Sequence, residues 1–167
     1  MVAARNYLVS LLKDAGIKSQ VYGSLKKLKL SNESHVGAVL RNGETFERSG
    51  SKKTFVDQEG RRNRREKLWT RTASYNVVIG DTDEEKVDAI LTEFFRRLKK
   101  GIPDQGNWVD IEPGEVEWVE KNDSILKANV AVQFEVTCRG GIYEDRRLGQ
   151  KRIETALEKQ GGHNEEN

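Results

Sequence analysis

Residues 72–100 read TASYNVVIGDTDEEKVDAILTEFFRRLKK, and this stretch decides the fold class. Tyr75, Val77 and Ile79 alternate with Ser74, Asn76 and Val78, the period-2 pattern of a strand with one apolar face. Gly80 and Asp81 break the pattern, and Thr82 or Asp83 can cap a helix by accepting a bond from a free backbone N–H. Asp83, Glu84 and Glu85 place negative charge at the positive end of the helix dipole, while Arg96, Arg97, Lys99 and Lys100 load its last turn. Val87, Ile90, Leu91, Phe94, Phe95 and Leu98 recur at helical spacing. Gly101 is the expected stop, with Pro103 just beyond it. A strand feeds an amphipathic helix, and every local signal agrees.

Upstream, Tyr7, Leu8, Leu11, Leu12 and Ala15 give residues 3–15 an apolar helical stripe, closed by Gly16. Residues 17–22 suit a short strand, and the Lys-rich segment 24–34 suits a helical turn or an extended edge equally well. Asn42-Gly43 between two extended runs predicts a hairpin turn, because both residues tolerate positive φ. Residues 54–56 and 68–78 are further strands. Residues 57–67 lack apolar side chains and predict a long mobile loop or a protruding hairpin tip.

Downstream, 101–107 reads as a loop, and 108–119 and 125–138 as the arms of a long antiparallel hairpin. Within the second arm, residues 128–138 alternate without a break. A short helix is expected at 148–157, followed by a free tail. The order predicts an α+β fold: a single domain over residues 3–145, with helices packed on one face of a mixed, mainly antiparallel sheet, and a C-terminal extension over 146–167.

The chain has 167 residues, of which Leu, Ile, Val and Phe make up 41, enough for one core. Cys138 is the only cysteine, which excludes an internal disulfide framework and a cysteine-rich zinc site. It stands in an apolar alternation and reads as a buried, inert thiol. No apolar run approaches the roughly 18 residues of a membrane span and no leader pattern opens the chain, so a soluble protein of a reducing compartment, with no membrane partner, is expected.

Signals for catalysis are weak. His35 precedes a strand and His163 lies near the end, neither with a second candidate ligand nearby. Gly140-Gly141 lacks the later glycine and the long helix of a nucleotide site. Asp81 with Asp83 reads as a helix start, and Glu115 with Glu117 alternates along one strand face toward solvent. A small hydrolase on that acidic hairpin would lack a nucleophile and a metal set. No catalytic residue, metal or cofactor is expected.

Charge carries more information. Residues 41–71 hold ten Lys/Arg and five Asp/Glu, a net of +5, and residues 103–128 hold two Lys and seven Asp/Glu, a net of −5. The basic run Arg61, Arg62, Arg64, Arg65 and Lys67, flanked by Phe55 and Trp69, could bind nucleic acid through phosphates and base stacking, or could be a solvated tip. If the two hairpins lie on opposite flanks, copies can meet head to tail, the basic side of one against Asp110, Glu112, Glu115 and Glu117 of the next. If they are adjacent in one chain, they neutralise each other.

The element order resembles that of the tail terminator (tail completion, or minor tail) proteins of tailed bacteriophages and related contractile particles. The resembling run starts with Asn6-Tyr7-Leu8-Val9-Ser10-Leu11-Leu12 and a hairpin region with a long loop. Tyr75-Asn76-Val77-Val78-Ile79 then enters the helix over 83–99, and a closing hairpin ends in residues 128–136. The basic character of 57–67 and the extension past residue 145 depart from a minimal member of that family. The resemblance implies a structural virion protein with no catalytic residues. It would form a hexameric ring that caps the tail tube, ends its polymerisation and joins a head connector or collar. The tube protein, the sheath and DNA in the lumen would be its partners.

Overall fold

A computed structural model describes residues 1–120 and 127–149. The stretch read first is a strand and helix as expected: β4 (Arg62–Asp81) feeds α3 (Glu84–Arg97). Asp83 caps α3 by accepting the Lys86 N–H at 3.0 Å. Before these come α1 (Val2–Ala15), β1 (Val21–Tyr22), α2 (Leu25–Leu30), β2 (Val36–Arg48) and β3 (Lys52–Val56). After them come β5 (Gly101–Asp104), β6 (Asn107–Glu120) and β7 (Val130–Arg147). The sheet runs β1-β2-β4-β7-β6-β5, with β3 extending the β2 side of β4. Only the β1–β2 pair is parallel, so the sheet is mixed and the fold is α+β, as the sequence led one to expect.

β4 and β7 form the long axis. Twenty residues of β4 span about 65 Å at roughly 3.3 Å per residue, whereas the fourteen residues of α1 or α3 cover only about 21 Å. The helices therefore cover half of the sheet and leave the other half bare. In the covered half Ala73, Tyr75, Val77 and Ile79 of β4 face Val132, Phe134, Val136 and Cys138 of β7 in one buried cluster. Leu8 and Leu12 of α1 and Val87, Ile90 and Phe94 of α3 close it. Phe94 stacks edge-on against Phe134, with centroids 5.4 Å apart. The Tyr75 hydroxyl donates to the Met1 carbonyl at 3.0 Å inside this core.

The short helix α2 corrects the expectation that the helices share one face. Its Leu28 packs with Val36, Ala38 and Val78, whose side chains stand on the reverse of the sheet. This also explains why Val78 is apolar at a position the alternation would leave polar.

Four further expectations are corrected. Asn42-Gly43 makes no hairpin: β2 is continuous, and the dipeptide forms a bulge opposite β4 with no positive φ. Asn42 instead donates across the sheet to Glu135 at 2.7 Å. Of the two alternatives for residues 57–67 the structure has the hairpin tip and not the long loop: Arg62–Lys67 is strand paired with β3, and the turn is confined to 57–61. Asp57 organises that turn by accepting the Arg61 and Glu59 N–H groups at 2.9 and 3.0 Å, and Gly60 supplies a φ of +77°. Residues 101–107 are not a loop either. β5 and β6 form a tight hairpin through Gln105 (φ +50°) and Gly106 (φ +77°), the pair of positive φ angles that a two-residue turn requires. Nor does Gly101 stop α3 with a left-handed residue; α3 ends at Arg97 with Leu98 as its cap, and Gly101 lies beneath the Trp108 indole, whose Nε1 would stand 2.4 Å from a Cβ added there. β7 continues to Arg147, past the expected boundary at 145, and the Leu148 N–H donates to the Arg62 carbonyl at 2.9 Å. Residues 150–167, with most of the expected terminal helix, lie outside the described residues.

The buried aromatic contacts between α3 and β7 make a direct test of this core. Phe94→Ala is expected to cost about 3–5 kcal/mol in urea unfolding, the range for emptying a buried aromatic site.

Candidate functional site

The bulge at Leu68 sorts the basic run into separate places. On the near side of that register shift Arg65 stands across from Lys53 and Asp145, and Lys67 across from Tyr143. These side chains share one face of the bare half-sheet. Arg62 and Arg64 point to the other face, where Arg64 opposes Arg146. Arg61 sits in the turn and pairs with Glu59. The five cations therefore do not form one patch: Arg65 and Lys67 share one face, Arg62 and Arg64 the other, and Arg61 lies in the turn.

Arg65 is the best-held of them. Its Nε and Nη2 grip both oxygens of Asp145 at 2.7 and 2.6 Å, and its Nη1 donates to Asn107 Oδ1 at 2.8 Å and the Gly106 carbonyl at 3.0 Å. The Arg65 fork holds the Asp145 carboxyl below the usual carboxylate range. Bonds from the Arg61 backbone N–H and the Asn63 amide hold Asp57 below that range as well.

The acidic residues do form one set. Asp110, Glu112, Glu115 and Glu117 all belong to β6 and are all exposed. Glu112 opposes Thr137, and Glu117 accepts from Gln133 at 2.9 Å. A second bulge, between Pro113 and Val116, leaves Gly114 and Glu115 without paired partners.

The sheet order settles how the two charged segments lie. β2 and β3 run along one edge, β6 along the other, and β4 and β7 stand between them. β1 pairs only with Gly37 and Ala38 of β2, and β5 reaches only residues 107–110 of β6. Among the described residues, no strand pairs with the outer sides of 39–48 or 111–120. The basic segment is balanced locally, by Arg71–Glu44 at 2.9 Å, Arg41–Glu44 at 3.3 Å and Lys52–Glu66 at 3.8 Å. Among the described residues no ion pair joins residues 41–71 to the carboxylates of β6. The bonds of Arg65 to the β5–β6 turn end on neutral groups. Among the described residues the two segments thus do not neutralise each other through ion pairs.

Cations also cover the aromatic rings of the bare half. Arg48 lies 4.2 Å over Trp69, Arg71 5.5 Å over Phe46 and Arg65 5.3 Å over Phe55. One face each of Trp69 and Phe55, the rings expected to stack on bases, is already occupied.

A contact invisible to the sequence patterns lies at the far end of β4. Asp81 is the one buried charged residue among those described. Its Oδ2 meets His35 Nδ1 at 2.6 Å, and its Oδ1 accepts the Thr82 N–H at 2.6 Å and the Thr82 hydroxyl at 3.0 Å. His35 Nε2 accepts the Lys18 N–H at 3.0 Å, which places the ring proton on Nδ1 and leaves no free lone pair for a general base. The pair ties the α1–β1 connection to the end of the sheet. Asp81 had read as part of a helix start; the antiparallel register, which sets Val36 against Gly80, brings residue 35 to residue 81. Burial pushes the Cys138 thiol up to about 11, against the opposing pull of the N-terminal ammonium.

Among the described residues no group of three or more His, Cys, Asp or Glu is placed to hold a metal ion, and no helix is long and apolar enough to cross a membrane. No protein-family model matches the sequence, and no curated protein matches it.

Burial acts to raise the Asp81 carboxyl, but the bonds from His35 and Thr82 outweigh it and hold the group below its ordinary value of about 3.9. A carboxyl depressed in the folded state stabilises above its unfolded pKa, and that contribution disappears as pH falls through the folded pKa. Asp81→Asn is therefore expected to lower the unfolding free energy from urea titration at pH 6 by about 1–3 kcal/mol. The gap to the wild type should close progressively below about pH 4, the ordinary carboxylate value.

Proposed function

We propose that this chain is a ring-forming structural subunit that works without catalysis, in the manner of a phage tail terminator. The observation that carries the reading is the placement of the charged segments: the basic residues 41–71 (β2, β3 and the first half of β4) lie on one side of β7 and acidic β6 on the other, with no ion pair between them among the described residues. Two acidic flanks repel, as do two basic ones, so like flanks of different copies avoid pairing. Unlike flanks attract, and a contact between different surfaces of identical subunits is head to tail, closing into a ring where the rotation permits.

The order of elements supports the more specific assignment. The N-terminal helix, the strand entering α3 and the closing β6–β7 hairpin follow one another as in the tail terminators that the sequence resembles. On this reading the chain forms a hexameric ring in the tail of a virion or a contractile particle. One face of the ring caps the tail tube, with sheath nearby, and the other meets a head connector or collar. DNA crossing the lumen would meet exposed cations such as Arg62 and Arg64. The α1–α3 face, with its aromatic core, keeps each subunit rigid while its edges make the contacts.

Nucleic-acid binding by the basic hairpin is the less favoured reading. Its cations are divided between two faces and a turn, carboxylates are interleaved with them, and its rings are partly covered.

Native mass spectrometry and negative-stain imaging of the full chain test the proposal. Closed rings of six subunits are expected, together with binding to the ends rather than the sides of tail tubes. A protein that stays monomeric at every concentration and ignores tube ends would contradict it.

A further inference from the structure

The bare half-sheet holds a cleft of about 790 Å³ that the ring reading alone does not use. Its floor is the face carrying Lys53, Phe55, Arg65, Lys67 and Tyr143, and its wall is the β5–β6 turn with Trp108. The cleft exists because β6 stops pairing with β7 at Asp110, so the turn stands clear of the last residues of β7. Arg65 spans the gap to Gly106 and Asn107 and holds the wall in place.

The charge inside this cleft is unbalanced. Arg65 is satisfied by Asp145, but among the described residues Lys53 and Lys67 have no carboxylate partner. Lys67 lies 5.9 Å over the Tyr143 ring. Two lysines without counter-charge, beside three aromatic rings, fit an extended segment bearing two carboxylates near the middle of a strand. Trp108 is 54% exposed at the entrance, unusually open for so large a ring.

We propose that the cleft is the seat for the β6 edge of a second copy, with Glu115 and Glu117 of that copy reaching Lys53 and Lys67. The proposal rests on the ring reading and names where one subunit grips the next. Glu115 stands at the β6 bulge, where the ladder is interrupted, so its side chain is presented outside the regular pairing. Among the described residues it has no ion pair and no side-chain hydrogen bond of its own, and Glu117 bonds only the neutral Gln133 amide. The outer side of this part of β6 has no strand partner, so its backbone is available as well. Glu115 and Glu117 lie beside Gln133 and Phe134 of β7, whereas the cleft lies at Tyr143, roughly 30 Å further along the strand at about 3.3 Å per residue, so neither can satisfy the other within a single chain. Each copy offers one of each, as a closed ring requires. A nucleic-acid strand would find cations here too, but Asp145 occupies the Arg65 guanidinium and only Lys53 and Lys67 have no carboxylate partner among the described residues.

A charge swap tests the seat. Lys53→Glu with Lys67→Glu makes one variant, and Glu115→Lys with Glu117→Lys makes the other. Lys53, Glu115 and Glu117 are exposed and Lys67 is half-buried in the cleft floor, so both variants should keep the wild-type circular dichroism, and the urea midpoint checks that each stays folded. Each alone is expected to raise the concentration for half-assembly at least tenfold. An equimolar mixture should restore rings, because the acidic seat of one variant then faces the basic edge of the other. As a second readout, Lys53→Cys mixed with Glu117→Cys should form an intermolecular disulfide, which buried Cys138 does not contest. Wild-type rings with both variants assembling normally would overturn the seat and leave the ring reading standing. No assembly by the wild type at any concentration would overturn both. Normal assembly of Lys53→Glu/Lys67→Glu with lost retention of a single-stranded DNA oligonucleotide would assign the cleft to nucleic acid instead and overturn the proposal.

Discussion

The antiparallel pairing of β4 with β7 is the constraint on which the rest of the structure depends. It runs from Asp81 against Val130 to Asn63 against Arg147 with one interruption, at Leu68. Because the period along each strand is two, that ladder decides which side chains meet the helices and which meet water. One end carries the row from Ala73 to Ile79 and is sealed by α1 and α3. The other end carries Arg, Lys and Glu alternating with aromatic rings and has no helix over it. The ladder also holds the two outer edges apart, so every statement about charge on those edges depends on this register.

The bulges then set the detail. Removing Leu68 from the register turns Lys67 and Arg65 to the face opposite that predicted by unbroken alternation from Ala73. The bulge at Asn42 keeps β2 in step with β4 without a turn, and the one at Gly114 presents Glu115 away from the ladder. On the proposed reading, opposite charge on the two flanks of the sheet then acts as a selection rule. Surface ion pairs are individually weak, about 0–1 kcal/mol each, so no single pair would hold an assembly. Several acting together set orientation and exclude like-with-like pairing, with backbone pairing and the cleft adding the rest.

Much of this was legible in the sequence. Alternation over Tyr75–Val77–Ile79 and over 128–138, and helical spacing from Val87 to Leu98, follow from burial on one face, which is a local property. The acidic segment was legible for the same reason, as Asp110, Glu112, Glu115 and Glu117 all lie on one exposed strand. What escaped depended on partners distant in the chain. Asn42-Gly43 has the residues of a tight turn, but pairing with β4 keeps it in a strand. Arg62–Lys67 has no apolar side chain to mark it as a strand, and its order comes from β3 and β7 on either side. Gly101 looked like a helix stop because nothing in the sequence says that Trp108 will fold over it. The Asp81–His35 pair needed the β2–β4 register before residue 35 could be placed beside residue 81.

Sedimentation velocity of the full chain across a salt series tests the central claim most directly, that unlike flanks drive assembly. The account predicts a ring-sized species at low and moderate salt that gives way to the 19.0 kDa monomer as salt rises, because screening weakens attraction between exposed charges. A species of 19.0 kDa at every salt and protein concentration, or an oligomer whose size does not respond to salt, would contradict it.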